Sequence, residues 1–197
     1  MAAVNTNLGI AYRILGNSRK ALEHFKLAHH FFVRNNYEKS NIATVLIEIG
    51  KVHLFSKNYA DALTYFNKSL KVGLEIFNDN HLIIARSYSH LAEVYELSGQ
   101  LDLAFDYYEK ALKMRLNILG EHSHLVAYTY NRISDLLIKK DQYNEALKNL
   151  DKSIISNVGN SKKDLEKYSL TELFENSLSI LEFLITLKSK ASILQSL

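Results

Sequence analysis

The side chains best suited to chemistry in this sequence are its eight histidines, and their spacing gives a metal ion no evident home. His122-x-His124 and the adjacent pair His29-His30 could each offer two imidazoles, the commonest metal ligands. Neighbouring residues on a helix project in different directions, however. No His-Glu-x-x-His pair, which would set two imidazoles on one helical face beside a general base, occurs in the chain. Cysteine is absent, which removes thiolate metal sites, thiol nucleophiles and disulfides together. Phosphate-cradling Gly-x-x-x-x-Gly-Lys-Ser/Thr and Gly-x-Gly-x-x-Gly loops are missing, as is a Gly-x-Ser-x-Gly nucleophile turn. Isolated carboxylates such as Glu23 and Asp106 read as solvated helix faces. The expectation is a non-enzymatic chain with no catalytic residue, no metal and no cofactor.

The elements that would position any binding side chain are helices. There is no proline among 197 residues, where about ten would follow from average usage of roughly 5%, and helix interiors are where proline costs most. Hydrophobic residues make up 47% and charged residues 23%, the balance of a folded protein in water. The net charge of +3 comes from scattered basic residues, not from one stripe, which argues against nucleic acid as a partner. The amino terminus has no basic start followed by an apolar stretch, and no 18-residue apolar run follows, so no membrane partner is expected either. With no cysteine, the expected location is cytoplasmic.

A fixed period then organises the chain. Gly16-Asn-Ser-Arg-Lys-Ala21, Lys57-Asn-Tyr-Ala-Asp-Ala62, Gly99-Gln-Leu-Asp-Leu-Ala104 and Asp141-Gln-Tyr-Asn-Glu-Ala146 align, with closing alanines 41, 42 and 42 residues apart. In the same register a bulky residue precedes a small one at Leu8-Gly9, Ile49-Gly50, Leu91-Ala92 and Ile133-Ser134. Tyr12, His53, Tyr95 and Leu137 follow three positions later. Beyond each turn come Phe25, Phe66, Tyr108 and Leu150, then Ala28, Ser69, Ala111 and Ser153. Ala85, Tyr88, Ala92 and Tyr95 are spaced 3, 4 and 3, one buried face of a helix. The short turn can only fold a second helix back beside the first. Periods of 20 to 50 residues identify stacked arrays. The reading is four helical hairpins at about 1–36, 40–78, 81–120 and 123–156, a loop at 157–163, and a divergent, densely apolar helical segment at 164–197 that caps the array or belongs to a further repeat.

Leu-Gly-x-x-Tyr, then Gly, then Ala, an aromatic residue and Ala: these positions resemble the tetratricopeptide repeat. The repeat here exceeds the usual 34 residues by about eight, or roughly two helical turns. In that respect it is similar to the 42-residue repeat of kinesin light chains, whose linkers read Leu-Gly-x-Asp-His-Pro-x-Val-Ala. Phe77-Asn-Asp-Asn-His81-Leu-Ile-Ile-Ala85 keeps the histidine and alanine, and Leu119-Gly120-Glu-His-Ser-His-Leu-Val126-Ala127 keeps Leu-Gly and Val-Ala. Both lack the proline, and Ser123 stands in the histidine's place. HEAT and armadillo repeats have comparable periods but not this register of small and aromatic residues.

The resemblance implies an all-α fold, a right-handed solenoid of antiparallel helical hairpins, with ligands on a concave surface lined mainly by the first helix of each hairpin. Counted from the Leu-Gly pair, the groove candidates are Thr6 and Arg13 in the first copy and Thr44, Glu48 and Lys51 in the second. Arg86, Ser89, His90 and Glu93 follow in the third, and Tyr128, Asn131, Arg132 and Asp135 in the fourth. Polar side chains with a few long cations suit an extended peptide. Asn131 stands where kinesin light chain repeats carry an asparagine suited to a peptide amide. The lysine and asparagine set with which heat-shock co-chaperones clamp a terminal carboxylate is not reproduced. Tyr107, Tyr108 and Tyr130 read as core, with Tyr128 the tyrosine best placed for exposure.

The function expected is that of a scaffold or adaptor holding a protein or peptide ligand in its groove. The alternatives are a peptide-responsive regulatory sensor and the repeat region of a larger protein with a catalytic domain elsewhere. Neither end carries the polar outer face of a solenoid cap, so homo-oligomerisation through uncapped ends is a further expectation.

Overall fold

The structure, a computed structural model, describes residues 1–35, 38–78 and 80–158. These residues form eight helices: α1 (Ala2–Ile14), α2 (Ser18–Arg34), α3 (Lys39–Phe55), α4 (Tyr59–Phe77), α5 (Leu82–Leu97), α6 (Leu101–Leu119), α7 (His124–Lys139) and α8 (Tyr143–Val158). Helix α8 runs on through Asn157 and Val158, two residues expected in a loop, because Ser153, Ile154 and Ser156 are still buried and packing carries the helix past its polar end. The rest of that loop and the helical segment expected at 164–197 lie outside the described residues. Two compact units divide the chain, Met1–Tyr107 and Tyr108 onward, with the boundary inside α6.

Helices α1, α3, α5 and α7 end alike. Gly16, Lys57, Gly99 and Asp141 adopt left-handed backbone, with φ of 74°, 58°, 81° and 57°. Each of these residues donates its N–H to the carbonyl three residues back, at 2.9–3.1 Å, and the following N–H reaches the carbonyl five residues back, at 2.8–2.9 Å. That double bond is the Schellman arrangement, which satisfies the last carbonyls of a helix and reverses the chain. Asn17 and Asn58 then cap α2 and α4, accepting from the amides of Lys20 and Asp61. The turn residues of the repeat thus stop one helix and start the next.

In the first two copies the small residue lies under an aromatic ring. A β-carbon on Gly9 would stand 2.6 Å from the Phe25 ring, and one on Gly50 would stand 2.5 Å from Phe66. Only glycine lets these helices approach so closely. Phe25 anchors one core cluster with Ala21, Ala28, Val45, Ile49 and Val52; Phe66 anchors a second with Ala43, Ile47, Ala62, Leu91 and Val94. Helix α3 supplies residues to both clusters, which is why its sequence is apolar nearly all round. The Ser69 hydroxyl ties α4 to α3 by donating to the Ala43 carbonyl at 2.9 Å.

In the second unit Ser153 repeats that contact, donating to the Ala127 carbonyl at 3.0 Å. Ser134 replaces glycine as the small residue and donates to the Ala146 carbonyl at 3.2 Å. Tyr108, Ala111, Ile133 and Leu150 are fully buried.

Candidate functional site

The first unit gathers four of the predicted groove residues into one cluster. Glu48, inside the buried run Val45–Gly50 of α3, is 5% exposed. Its carboxylate accepts from Lys51 Nζ at 2.8 and 3.1 Å. Arg13 Nε of α1 lies 3.3 Å away, and the Arg86 guanidinium of α5 lies 3.8 Å away. Burying a lone carboxylate is costly unless it is paired; three cations from α1, α3 and α5 meet that requirement and leave two positive charges in excess. Arg86 retains 39% of its side-chain exposure, Lys51 26% and Arg13 24%, so the cluster faces solvent with its cations and hides its anion.

The other candidates of this unit are engaged differently. Thr6 and Thr44 donate their hydroxyls to carbonyls of their own helices, Ala2 and Ser40. His90 Nδ1 lies 3.2 Å from Glu93, and its ring stacks on Phe66 at 4.9 Å. That ring therefore packs onto the second cluster of the core. Ser89 is buried, and its hydroxyl has no hydrogen-bond partner among the described residues.

In the second unit Arg132 lies between two groups. Its Nε donates to the Tyr108 hydroxyl at 3.2 Å, and its Nη1 reaches Asp135 at 3.2 Å. The guanidinium also stands 5.9 Å from the centre of the Tyr108 ring. Tyr128 is 37% exposed, Asn131 is half-buried, and Tyr130 is buried. Of the tyrosines read as core, Tyr107 packs on Tyr95 at 5.3 Å and on Tyr88 at 6.0 Å in the first unit.

Two features escaped sequence reasoning. Arg115 is buried, with its guanidinium donating to the Thr129 hydroxyl and, at 3.3 Å, to the Leu125 carbonyl, so it ties α6 to α7 within the second unit. A cavity of about 490 Å³ opens in the first unit between α2, α3 and α4. Its signal in the sequence was the i, i+3, i+4 spacing of Lys26/His29 and of Lys68/Lys71/Val72/Glu75, which puts each set on one stripe. Among the described residues no group of three histidine or acidic side chains is placed to hold a metal, and no helix is long and apolar enough to cross a membrane.

These are the features of an all-α helical-repeat scaffold. The tetratricopeptide repeat model matches residues 41–117 and again 83–154, together more than half of the chain, and the chain belongs to the tetratricopeptide repeat family. Among solved structures it is similar to BtubC (BKLC) from P. vanneervenii, with a TM-score of 0.73 at 16% identity over 94% of this chain and 71% of that one. Two structures of a candidate kinesin light chain from Podosopora anserina, with nearly identical TPR-like repeats, give TM-scores of 0.72 and 0.68 at 13% and 14% identity. Each alignment covers 98% of this chain, and 91% and 95% of the other. No curated protein matches in sequence. At these identities the likeness is one of fold, the solenoid of kinesin-light-chain-like repeats. Arrays of this family serve in general as protein–protein interaction scaffolds.

Proposed function

We propose that the chain is a non-enzymatic scaffold that holds a peptide or partner protein against the face presented by its first helices, as an adaptor in the cytoplasm. The observation that carries this reading is the convergence of Arg13, Lys51 and Arg86 on the buried Glu48. The carboxylate fixes three long cations in place, and their ordering entropy is met on folding and not on binding. The two surplus charges favour a segment carrying acidic side chains, and the guanidinium of Arg86 is the group best exposed to meet one. In the second unit Tyr128, Asn131, Arg132 and Asp135 supply a further polar contact set with one exposed aromatic side chain.

Photocrosslinking tests this in cells. With p-benzoylphenylalanine in place of Glu93, one helical stripe along α5 from Arg86, a discrete crosslinked partner is expected; in place of Thr64, exposed on α4, none is. A partner trapped from Thr64 and not from Glu93 would move the contact to the second helices.

A further inference from the structure

The cavity between α2, α3 and α4 lies apart from the Glu48 cluster in character as well as in lining. Its floor is Ile42, Leu46 and Ile49 of α3, spaced 4 and 3 on one stripe, with Tyr65 and Val72 of α4 at the side. Around the mouth stand Lys26 and His29 of α2 and Lys68, Lys71 and Glu75 of α4. At about 490 Å³ the space falls within the range of small-molecule sites, which are mostly apolar with a few placed polar groups.

The rim is cationic in effect. Glu75, its one carboxylate, lies 3.9 Å from Lys39 of α3. Lys68 is held over the Tyr65 ring, 5.1 Å from its centre. Lys26 and Lys71 have no carboxylate within ion-pair distance among the described residues. An apolar floor under three ammonium groups matches one chemistry, an apolar body ending in a single anionic head. We propose that this cavity is a binding site for a small amphipathic carboxylate, its chain on Ile42, Leu46 and Ile49 and its head among Lys26, Lys68 and Lys71.

His29 supplies an internal reporter. Burial, Lys68 and His30 all lower its pKa, and the other charged groups that line the cavity with it are Lys26 on its own helix and Lys71 and Glu75 on α4. A carboxylate bound among these lysines would offset their field and raise the His29 pKa.

The probe is laurate, kept below its micellar concentration, titrated into the full chain while the His29 ring is followed by NMR. Saturable one-to-one binding is expected, with a rise in the His29 pKa; dodecyltrimethylammonium, the same chain with a cationic head, should neither bind nor shift it. Lys68→Glu with Lys71→Glu should weaken laurate at least tenfold at unchanged helicity, Lys68→Arg with Lys71→Arg should retain it, and Ile42→Trp should block it by filling the floor. Arg13→Ala with Arg86→Ala should leave laurate binding intact, which separates this site from the partner-binding face. Failure of laurate to bind, equal binding of the cationic amphiphile, or laurate affinity unmoved by both the glutamate and the tryptophan variants would overturn the proposal.

Discussion

Replacing Gly50 by alanine places one methyl group where the helices of the second hairpin touch. The new β-carbon would lie 2.5, 2.7 and 3.0 Å from three carbons of the Phe66 ring, where carbon pairs settle at about 3.5–4.0 Å. The ring must therefore retreat by roughly 1 Å, but it is fully buried against Ala43, Ala62 and Leu91. Overpacking of this kind costs about 1–3 kcal/mol. The better helix propensity of alanine offsets about 1 kcal/mol, so the expected net loss reaches at most about 2 kcal/mol. Phe66→Leu alone should lose roughly 1–2 kcal/mol through the space it opens. Combined with Gly50→Ala it should lose less than the two together, by about 1 kcal/mol, since the methyl group then enters that space. Urea unfolding of the four proteins, followed by far-ultraviolet circular dichroism, measures this cycle. Strict additivity of the two substitutions would refute this closure of the hairpin on the Phe66 ring.

Three further outcomes follow from the same structure. Lys57→Gly should raise stability by about 0.5–1 kcal/mol in urea unfolding, because Lys57 holds left-handed backbone at φ 58° with a side chain that penalises it. Glu48→Gln should lower stability by about 1–2 kcal/mol, discounted for the partial exposure of Arg13, Lys51 and Arg86, since it leaves three cations facing one another; the loss should shrink as salt is added. Burial lowers the pKa of His29, with Lys68 and His30 adding to it, and burial likewise lowers that of His53 against the opposing pull of Asp61. The unfolded chain then binds more protons than the folded one below the ordinary value of 6.5, so stability is full above that pH and falls as the pH drops through it. Thermal unfolding across this range should show the fall in the parent and a flatter profile in His29→Gln with His53→Gln.

The sequence made some of this legible because local chemistry recurs at fixed spacing. Glycine two turns before a hairpin bend and an aromatic ring beyond it are complementary parts of one contact, and their repetition at 41–42 residues exposed the repeat. The bend was readable in all four copies from the recurring alanine, but its left-handed backbone was marked by glycine only at Gly16 and Gly99, and Lys57 and Asp141 hold the same conformation without one. The Glu48 cluster was visible as separate polar residues, but which cations would meet that carboxylate depends on how α1, α3 and α5 pack, and no spacing along the chain encodes a contact between positions 13, 48 and 86. His90 shows the same. Its register suggested a groove residue, and the half-buried ring lies beside Glu93 while also stacking on Phe66, a contact no spacing announced. The cavity of the first unit went unread because it needs three helices at once, with its cations on the second helix of each hairpin.

In the proposed function a partner is held by the cations ordered around Glu48. Titration calorimetry of the crosslinked partner, once purified, against the parent chain and against Arg13→Ala with Arg86→Ala tests it most directly. At least a tenfold loss of affinity is expected at unchanged circular dichroism. An unaltered affinity in a folded variant would contradict it.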